Sequence, residues 1–324
     1  MAQYIGLDIG TASTVIFKKD KGIVLREPTI AAVDTAGNVV AAGAKALLVH
    51  GCAPGTVTLR RPLENGNITD FNLMAETLNK FLETAVPGSK KHVAVSVKYG
   101  FGSHNRDALS RALADCKTGK ITLTDNAYAA LLGSGFVPSP GEEGEYDGAV
   151  VCDIGAGSIE VSYIRAGEIL RSKALPYAGD AADASIAAYI RRKYGLVITK
   201  SEAAAAKHKI VLIGTAPKTH ILTGTDGSSG LPKKVEINIS ELIRPSAPQL
   251  GQAAELISEL LSNLPRHGEN SSSAGRIILV GGCAAMPGIG EYISSAVGRK
   301  VEVPEKPADC VAIGLGRLIS LKKR

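Results

Sequence analysis

The sequence predicts an α/β protein built from two lobes, each with its own hydrophobic core. Three observations point to this class. The 324 residues suffice for about two domains, short apolar strands alternate with helix-forming segments, and one strand–turn–strand pattern occurs twice. Hydrophobic residues make up 45% of the chain and charged residues 21%, the balance of a globular protein. No apolar run approaches the ~18 residues that a membrane-spanning helix needs.

Apolar spacing and turn-forming residues predict the elements of the first half of the chain. Alternating and β-branched runs indicate strands, apolar residues at helical spacing indicate helices, and Ser103 is expected to cap one of these helices. The expected strands are 3–8, 14–17, 23–33, 38–43 and 93–97, and the expected helices are 72–86, a segment capped by Ser103, and about 126–133.

A polar segment rich in Pro and Gly, residues 138–148, is expected to connect the two lobes. A strand is then expected to begin at Ala149, and Asp180 and Ser201 are expected to cap the next two helices. The remaining expectations are a helix that ends near Tyr194, a β meander over 214–238, a helix over 249–264, a loop over 268–275, and a strand over 276–280 with a Gly-Gly turn and a helix behind it.

Residues 8–14 and 153–159 form an internal repeat. Each copy begins with an aspartate at the end of an apolar strand, continues with Ile-Gly, and leads through a Ser or Thr into a second strand. Asp8 and Asp153 are about one domain apart, which suggests a duplication with one turn in each lobe. The turn residues are Gly10, Thr11, Ala12 and Ser13 in the first copy and Gly155, Ala156, Gly157 and Ser158 in the second.

These residue types, in this order, suit phosphate groups with a metal ion. Glycine lets the backbone approach a phosphate closely, and consecutive N–H groups in such a turn form an anion-binding concavity. The hydroxyl group of Ser or Thr adds a neutral donor, and the aspartate supplies an oxygen to Mg²⁺, usually through water. Two turns therefore predict a polyphosphate and its metal held from both sides, which is most of the task in phosphoryl transfer.

A third element follows the strand 276–280. Gly281 and Gly282 present flat backbone that could cover a purine and a ribose, although an ordinary strand-to-helix turn has the same pattern. Together with the two phosphate turns, the glycine pair favours adenosine. The chain has no G-x-x-x-x-G-K-[ST] sequence and no G-x-G-x-x-G between a strand and a helix, so P-loop and Rossmann sites are disfavoured.

The three elements, in this order, resemble the actin-like ATPase superfamily, and further segments resemble one of its families, the bacterial actin homologues of the MreB/Mbl type. Residues 22–28 are similar to the family segment G-I-V-L-x-E-P, and residues 61–71 to R-P-L-x-x-G-x-I-x-D-F. Residues 178–194, with Glu202 and Lys209, follow the matching helical region. The resemblance covers essentially the whole chain.

The resemblance implies an α/β fold of the actin-like (RNase H-like) kind, with a duplicated βββαβα core and a nucleotide cleft between the lobes. Lobe I would comprise 1–137 with 305–324 returning to it, and lobe II 138–304, with small subdomains at about 32–65 and 181–245. The resemblance also implies ATP-dependent assembly into filaments that lie on the cytoplasmic membrane and organise wall synthesis.

The resemblance also assigns roles to individual residues, with ATP or ADP and Mg²⁺ as the ligands. Asp8 and Asp153 would serve Mg²⁺, and Asp125, Asp153 and Ser158 would take part in a weak ATPase reaction. Residues 10–13 and 155–158 would hold the phosphates. The nucleotide would also contact Gly179, Asp180, Glu202, Lys209, Gly281, Gly282 and Cys283.

Several positions depart from the family pattern. The usual Glu-Glu-Pro triplet, which positions the attacking water, is replaced by Thr-Asp-Asn-Ala at 124–127. Asp125 has a shorter carboxylate and equally suits a helix N-cap, so ATP binding with slow hydrolysis is expected. Ala206 stands where a second Glu is usual, which predicts a missing ribose or base contact. Cys283 replaces a third glycine and adds bulk near the nucleotide, and Ser13 replaces an Asn; the chain is thus a divergent member.

Composition bears on the competing classes of function. The net charge is +6, but the basic residues are dispersed along the sequence, and the chain has no Trp and 4% aromatic residues, so a solvated basic surface is favoured over nucleic-acid binding. The five cysteines and six histidines show no metal-ligand spacing, which favours buried free thiols over disulfides or zinc. The N-terminus predicts a strand rather than a signal peptide, and hence a cytoplasmic protein.

Peripheral membrane association is a further hypothesis. Some relatives have an N-terminal amphipathic helix, whereas this chain begins at its first strand. Others use an apolar loop tip before the strand that matches 93–97, which here is the basic segment 88–92. Its Lys90 and Lys91 could attract anionic lipid at ~1 kcal/mol each, but they bring no buried apolar area.

Other functions of the same fold stay open at this point. A small-molecule kinase would need a catalytic aspartate facing its substrate, and the sequence shows no spare acidic loop for that role. An accessory or chaperone protein that binds ATP without polymerising is poorly separated by sequence alone. A plasmid-partitioning filament is also compatible with the resemblance.

Overall fold

The computed structural model describes residues 2–52, 55–88, 90–136, 148–214, 219–264 and 275–321. The chain forms two compact units, one of residues 1–137 and 309–324 and the other of residues 138–308. The expected connection 138–148 and the expected loop 268–275 lie outside the described residues, apart from the last residue of each. Within the described ranges, no helix is both long enough and apolar enough to cross a membrane.

The first unit contains a main mixed sheet covered by helices. Its strands are β1 (Gln3–Ile9), β2 (Ser13–Lys18), β3 (Gly22–Pro28), β4 (Ala31–Asp34), β5 (Val39–Ala42), β6 (Val57–Arg60), β7 (Leu63–Glu64), β8 (Asn67–Ile68), β9 (Lys91–Val97) and β10 (Thr118–Asp125). Its helices are α1 (Ala44–Cys52), α2 (Phe71–Ala85), α3 (Ser103–Asp115), α4 (Asn126–Gly133) and α9 (Cys310–Leu321). The main sheet has the order β10-β9-β1-β2-β3, a smaller sheet has the order β5-β4-β6, and β7 pairs with β8.

The second unit has the same plan. Its strands are β11 (Ala149–Ile154), β12 (Ile159–Arg165), β13 (Glu168–Leu175), β14 (Leu196–Val197), β15 (His220–Asp226), β16 (Pro232–Ile237), β17 (Arg276–Val280) and β18 (Val301–Glu302). Its helices are α5 (Gly179–Tyr194), α6 (Lys200–Lys207), α7 (Ile243–Ser262) and α8 (Ile289–Val297). The main sheet has the order β13-β12-β11-β17-β18, and a smaller sheet has the order β14-β15-β16.

Strand pairing shows the duplication directly. The strands β3-β2-β1-β9-β10 correspond in order to β13-β12-β11-β17-β18, with two antiparallel pairings followed by two parallel pairings in both sheets. The register matches as well, because Asp8 pairs with Val15 as Asp153 pairs with Glu160. The predicted duplication is confirmed at the level of individual residue pairs.

Apolar residues at helical spacing bury one face of each covering helix. In the first unit, Leu78 and Leu82 of α2 are fully enclosed in one core with Ile5 and Leu7 of β1. In the second unit, α5 and α7 contribute to a core with strands β11, β12 and β17. Each repeat turn therefore follows a strand that is anchored in the core of its own unit.

Helix starts differ from the sequence expectation at several points. Helix α3 begins at Ser103 itself, and α5 begins at Gly179, so Asp180 lies in its first turn rather than at its cap. Thr199, not Ser201, caps α6 through its hydroxyl oxygen. The starts of α3 and α6 each offer two residues suited to an N-cap, and the one with non-helical backbone angles takes the role. At α5 the N-cap position falls on Ala178, which makes no side-chain capping bond. Helix α7 begins earlier than the predicted residue 249 and contains Pro248, which the sequence pattern had placed outside the helix.

Helices α4 and α9 cross at a very short distance within the first unit. A Cβ atom added at Gly133 would overlap the carbonyl oxygen of Cys310, and one added at Gly314 would overlap that of Ala129. Neither glycine position can accept a side chain without moving a helix. The crossing attaches the C-terminal helix to the first unit, where α9 also packs on β1.

We expect Gly314→Ala to lower the free energy of unfolding by about 2 kcal/mol or more, because the added methyl group overpacks this crossing. Gly251→Ala is the matched control, since Gly251 also lies in a helix interior but has open space around its Cβ position. The control should gain roughly 0.5–1 kcal/mol from helix propensity. Urea denaturation of both variants measures the effects, and a Gly314→Ala midpoint at or above that of the parent contradicts the close crossing.

Candidate functional site

The first repeat turn joins β1 to β2 and is closed by one backbone bond. The N–H of Gly10 donates to the carbonyl oxygen of Ser13 at 3.0 Å. A Cβ atom at Gly10 would lie 2.9 Å from that oxygen, so the tight turn needs a glycine. Asp8 lies just before the turn, and the Ser96 hydroxyl group donates to its Oδ1 at 3.2 Å. The predicted metal ligand is thus oriented from the neighbouring strand β9.

Thr11 of this turn is held by the segment around the β7–β8 hairpin. The N–H of Gly66 donates to the Thr11 hydroxyl oxygen at 3.1 Å, and Arg61 donates to the Thr11 carbonyl oxygen at 3.1 Å. Asn65 and Gly66 turn the hairpin with positive φ angles of 48° and 71°. A hydroxyl group that accepts from Gly66 can donate its own hydrogen to another acceptor, such as a phosphate oxygen. Sequence reasoning recognised residues 61–71 as a family motif but missed this contact.

The second repeat turn joins β11 to β12 with the same closing bond. The N–H of Gly155 donates to the carbonyl oxygen of Ser158 at 3.0 Å. Here the turn is tied to a helix rather than to a hairpin. The N–H groups of Gly179 and Asp180, at the start of α5, donate to the carbonyl oxygens of Gly155 at 3.1 Å and Ala156 at 2.7 Å. The first N–H groups of α5 therefore position the turn.

The two glycines that follow β17 differ in their surroundings: the first is closely packed, and the second is exposed. Gly281 has a φ angle of +93°, and a Cβ atom there would overlap Oδ1 of Asp153. Its N–H donates to the carbonyl oxygen of Pro307 at 3.0 Å. Gly282 is exposed, and no heavy atom lies within 4 Å of its Cβ position. Gly281 is thus required beside the aspartate, whereas Gly282 offers bare backbone to a ligand.

Cys283 lies beneath the second turn. It is 4% exposed, and its thiol donates to the carbonyl oxygen of Gly155 at 3.4 Å. Burial raises the pKa of this thiol, and the nearby Lys207 only partly offsets the effect. The bulk that replaces the family's third glycine is therefore a neutral thiol packed below the turn backbone.

Glu202 and Lys209, which the resemblance places near the adenosine, lie in the first turn of α6 and just beyond its end. Glu202 accepts the N–H of Thr223 at 2.8 Å and the Thr223 hydroxyl group at 3.2 Å through one carboxylate oxygen, Oε1. This joins α6 to strand β15. Lys209 lies just beyond the helix and is exposed. Asp180, also predicted to contact the nucleotide, forms an ion pair with Lys200.

Asp125 lies at the end of β10, on the same sheet edge as Asp8. Strands β1, β9 and β10 are parallel neighbours, so their carboxyl ends meet at this edge. Asp125 precedes α4 but makes no side-chain capping bond; its Oδ1 instead accepts from Arg106 at 3.2 Å. Arg106 is fixed in turn by donating through Nε to the carbonyl oxygen of Phe101 at 2.8 Å. Asp125 thus occupies the N-cap position of α4 by its backbone angles, as one alternative expected, but its carboxylate is paired with a cation instead of capping the helix.

Each of the two aspartates, considered within its own unit, fits a magnesium ion only in company with a ligand. Asp8 and Asp153 are partly exposed carboxylates at strand ends beside glycine turns. Across the described part of the chain, no three Asp, Glu, His or Cys side chains come together as a metal site. Mg²⁺ commonly keeps several waters and binds through one or two carboxylates plus phosphate oxygens. Either aspartate by itself therefore suits a metal that arrives with a polyphosphate.

Comparison with solved structures identifies the fold. The structure of MreB5 of Spiroplasma citri bound to ADP has a TM-score of 0.87 and 24% sequence identity, covering 100% of this chain and 98% of that one. The MamK double helical filament has a TM-score of 0.77 and 16% identity, covering 99% of both chains. The fold is actin-like, as the sequence predicted.

Sequence comparison narrows the class to one family. The family described as MreB/Mbl protein matches residues 2–324. The cell shape-determining protein Mbl of Bacillus subtilis (strain 168) is 32% identical over 330 residues, which cover 98% of this chain and 96% of that protein. The cell shape-determining protein MreB of Escherichia coli (strain K12) is 29% identical over 328 residues, with coverage of 98% and 93%. The chain belongs to the MreB/Mbl family, and the roles of its individual site residues stay predictions.

Proposed function

We propose that this protein binds ATP with Mg²⁺, polymerises into filaments, and acts in the organisation of cell shape and wall synthesis. The observation that carries the proposal is the pair of turns at Gly10 and Gly155, which share one closing hydrogen bond and one strand register. Such backbone suits phosphate binding, and its glycines carry a cost in conformational entropy. The family relationship supplies the nucleotide and the polymer.

The turns would hold the phosphates through backbone N–H groups and hydroxyl groups. Thr11 and Ser13 would donate from the first turn, and Gly157 and Ser158 from the second. Bound Mg²⁺, served by Asp8 and Asp153 through water, would neutralise charge on the terminal phosphates. The adenosine would lie against Gly281 and Gly282, near Glu202 and Lys209.

Two arguments support filament formation: the solved structures of similar proteins, and the geometry of contacts that form open polymers. MreB5 was solved with ADP and with AMPPNP, and MamK as a double helical filament. A head-to-tail contact that does not close on itself generates an open polymer. The proposed occupant of that contact is a second copy of this chain in its nucleotide-bound state.

We expect the protein to pellet as filaments with ATP and Mg²⁺, and to stay in the supernatant without nucleotide. Asp153→Ala should weaken ATP binding at least about tenfold and abolish pelleting, because the metal loses its partner. Glu255→Ala, which changes an exposed carboxylate on α7 of the second unit, is the control and should behave as the parent. Calorimetry gives the ATP affinity, and electron microscopy identifies filaments.

Other outcomes of the same assay select the alternatives. A nucleotide-bound protein that never pellets indicates an accessory or chaperone function. ADP release that depends on an added sugar indicates a small-molecule kinase. Folded protein that takes up no ATP contradicts the proposal altogether.

Hydrolysis should be slow because Asp125 is both short and paired. Its carboxylate would need to lie within about 3 Å of the attacking water or of one bridging water, and Arg106 already occupies one of its oxygens. The carboxylate oxygen that accepts from Arg106 is less available to orient a water molecule. The expected reaction is therefore a weak ATPase coupled to assembly.

We expect Asp125→Ala to lower phosphate release from assembled filaments by about tenfold or more, which is less than the typical ~10²–10⁴-fold of general acid–base catalysis because Arg106 already holds one carboxylate oxygen. Asp107→Ala is the control, because Asp107 is an exposed carboxylate on α3, the helix that carries Arg106. Phosphate release is measured per pelleted subunit, so that a loss of assembly is not counted as a loss of chemistry. An Asp125→Ala rate equal to that of the parent removes Asp125 from the reaction.

The first unit also has a basic sheet edge that favours contact with an anionic membrane. Register places the β2–β3 turn with Lys21, the loop with Lys90, and the start of β10 with Lys117 and Lys120 at one end of the main sheet. These four lysines are exposed, so the tertiary structure gathers basic residues that are dispersed along the sequence. Lys91 does not belong to this edge surface; it is 4% exposed and donates to the carbonyl oxygen of Gly88 at 3.2 Å.

We expect Lys90→Glu/Lys120→Glu to reduce co-sedimentation with phosphatidylglycerol vesicles by about tenfold or more, since each lysine near the surface contributes ~1 kcal/mol. Lys234→Glu/Lys300→Glu is the control; it makes the same charge change at exposed positions of the second unit. Neutral phosphatidylcholine vesicles should bind neither protein. Unchanged binding of the first variant excludes this edge as the membrane surface.

A further inference from the structure

Lys207 and Asp183 form a buried ion pair in the second unit. Nζ of Lys207 lies 2.8 Å from Oδ1 of Asp183, and the two side chains are 5% and 3% exposed. Among the ion pairs of the described residues, this pair has both partners almost completely enclosed. Such a pair commonly stabilises a fold no better than apolar residues of the same volume, because both charges lose their hydration. Its location is therefore more informative than its energy.

A chain of hydrogen bonds connects the pair to the second turn. Lys207 also donates to the carbonyl oxygen of Gly179 at 3.1 Å. The N–H of the same Gly179 donates to Gly155, and the N–H of Asp180 donates to Ala156. A single residue, Gly179, thus connects the ammonium group to the turn that is proposed to hold phosphate.

Gly179, the residue through which this connection runs, is closely packed. A Cβ atom added at Gly179 would lie 2.7 Å from Sγ of Cys283 and 2.9 Å from Nζ of Lys207. The sulfur itself donates to the carbonyl oxygen of Gly155. Lysine and cysteine side chains therefore fill the space that the glycine leaves open, directly below the turn.

We propose that Lys207 is a positioning residue for the second phosphate turn: its ammonium group, held by Asp183, fixes Gly179 and through it the carbonyl groups of residues 155 and 156. With these carbonyl groups turned toward α5, the N–H groups that follow Gly155 in the turn would face a phosphate. The inference rests on the proposed nucleotide binding and adds a residue that no sequence motif identified.

The second unit contains a matched arrangement at the other end of α5. Lys233 donates to the carbonyl oxygen of Tyr194, the last residue of that helix, at 2.8 Å and to the Asp226 carboxylate at 2.9 Å. Both lysines thus bridge a carboxylate and a helix-end carbonyl group, but Lys233 does so far along the helix from the turn. A variant at Lys233 therefore removes a lysine bridge of the same kind without removing a contact near the second turn.

The test compares three proteins with the parent: Lys207→Met/Asp183→Asn, Asp183→Asn alone, and Lys233→Met. The double variant leaves no unpaired buried charge, so it avoids the main reason for which Lys207→Met alone would unfold. We expect its ATP dissociation constant to rise about tenfold, whereas Asp183→Asn, which keeps the bond to Gly179, and Lys233→Met should stay within about threefold of the parent. Calorimetry is run well below the lowest melting midpoint of the set.

Hydrogen exchange without nucleotide supplies a local readout. In the double variant, exchange should rise in a peptide that covers residues 178–183, whose first amides bind the turn, and not in peptides from α7. Unchanged ATP affinity in the double variant overturns the inference, as does exchange that rises equally throughout the unit. A parent protein that takes up no ATP contradicts the proposed function instead, and the exchange experiment then still reports whether Lys207 holds the turn.

Discussion

One short backbone bond, from the N–H of a glycine to the carbonyl oxygen three residues later, determines the geometry of both candidate phosphate turns. It joins Gly10 to Ser13 and Gly155 to Ser158 at the same length of 3.0 Å. The bond turns the chain back on itself directly after a buried strand, so the following strand pairs antiparallel in the same register in both units. A side chain at Gly10 would contact the very oxygen that closes its turn, and this is why the motif keeps a glycine there.

The two turns share this bond but are supported by different neighbours. In the first turn, the Thr11 hydroxyl oxygen accepts a hydrogen bond from the β7–β8 hairpin. In the second turn, the carbonyl groups accept hydrogen bonds from the first amides of α5. The strands and the turn are alike in the two units, whereas the residues that support each turn differ. A change in either support would therefore alter the turn of its own unit directly.

Two departures from the family pattern acquire a physical meaning from their surroundings. Asp125 is the N-cap residue of α4 by position, but its carboxylate makes no capping bond and instead accepts from Arg106. Cys283 is not an obstacle above the turn but a neutral thiol packed beneath it, next to the buried Lys207 and Asp183. Divergence at these sites thus changes how the turn and the sheet edge are supported rather than removing the candidate site.

The sequence by itself determined the family, the duplicated α/β plan and the two turns, because glycine, aspartate and hydroxyl residues at fixed spacing leave few backbone solutions. It also located α2, α4 and β11 within a residue or two, since apolar periodicity is a local signal. It misplaced the caps of α3, α5 and α6, where neighbouring residues compete for one role. Only the tertiary structure decided which side chains meet across long stretches of chain. Gly66 with Thr11, Arg106 with Asp125, Lys207 with Gly179 and Asp183, and the lysines of the basic sheet edge are brought together by strand pairing and helix packing, and local residue patterns do not encode these contacts.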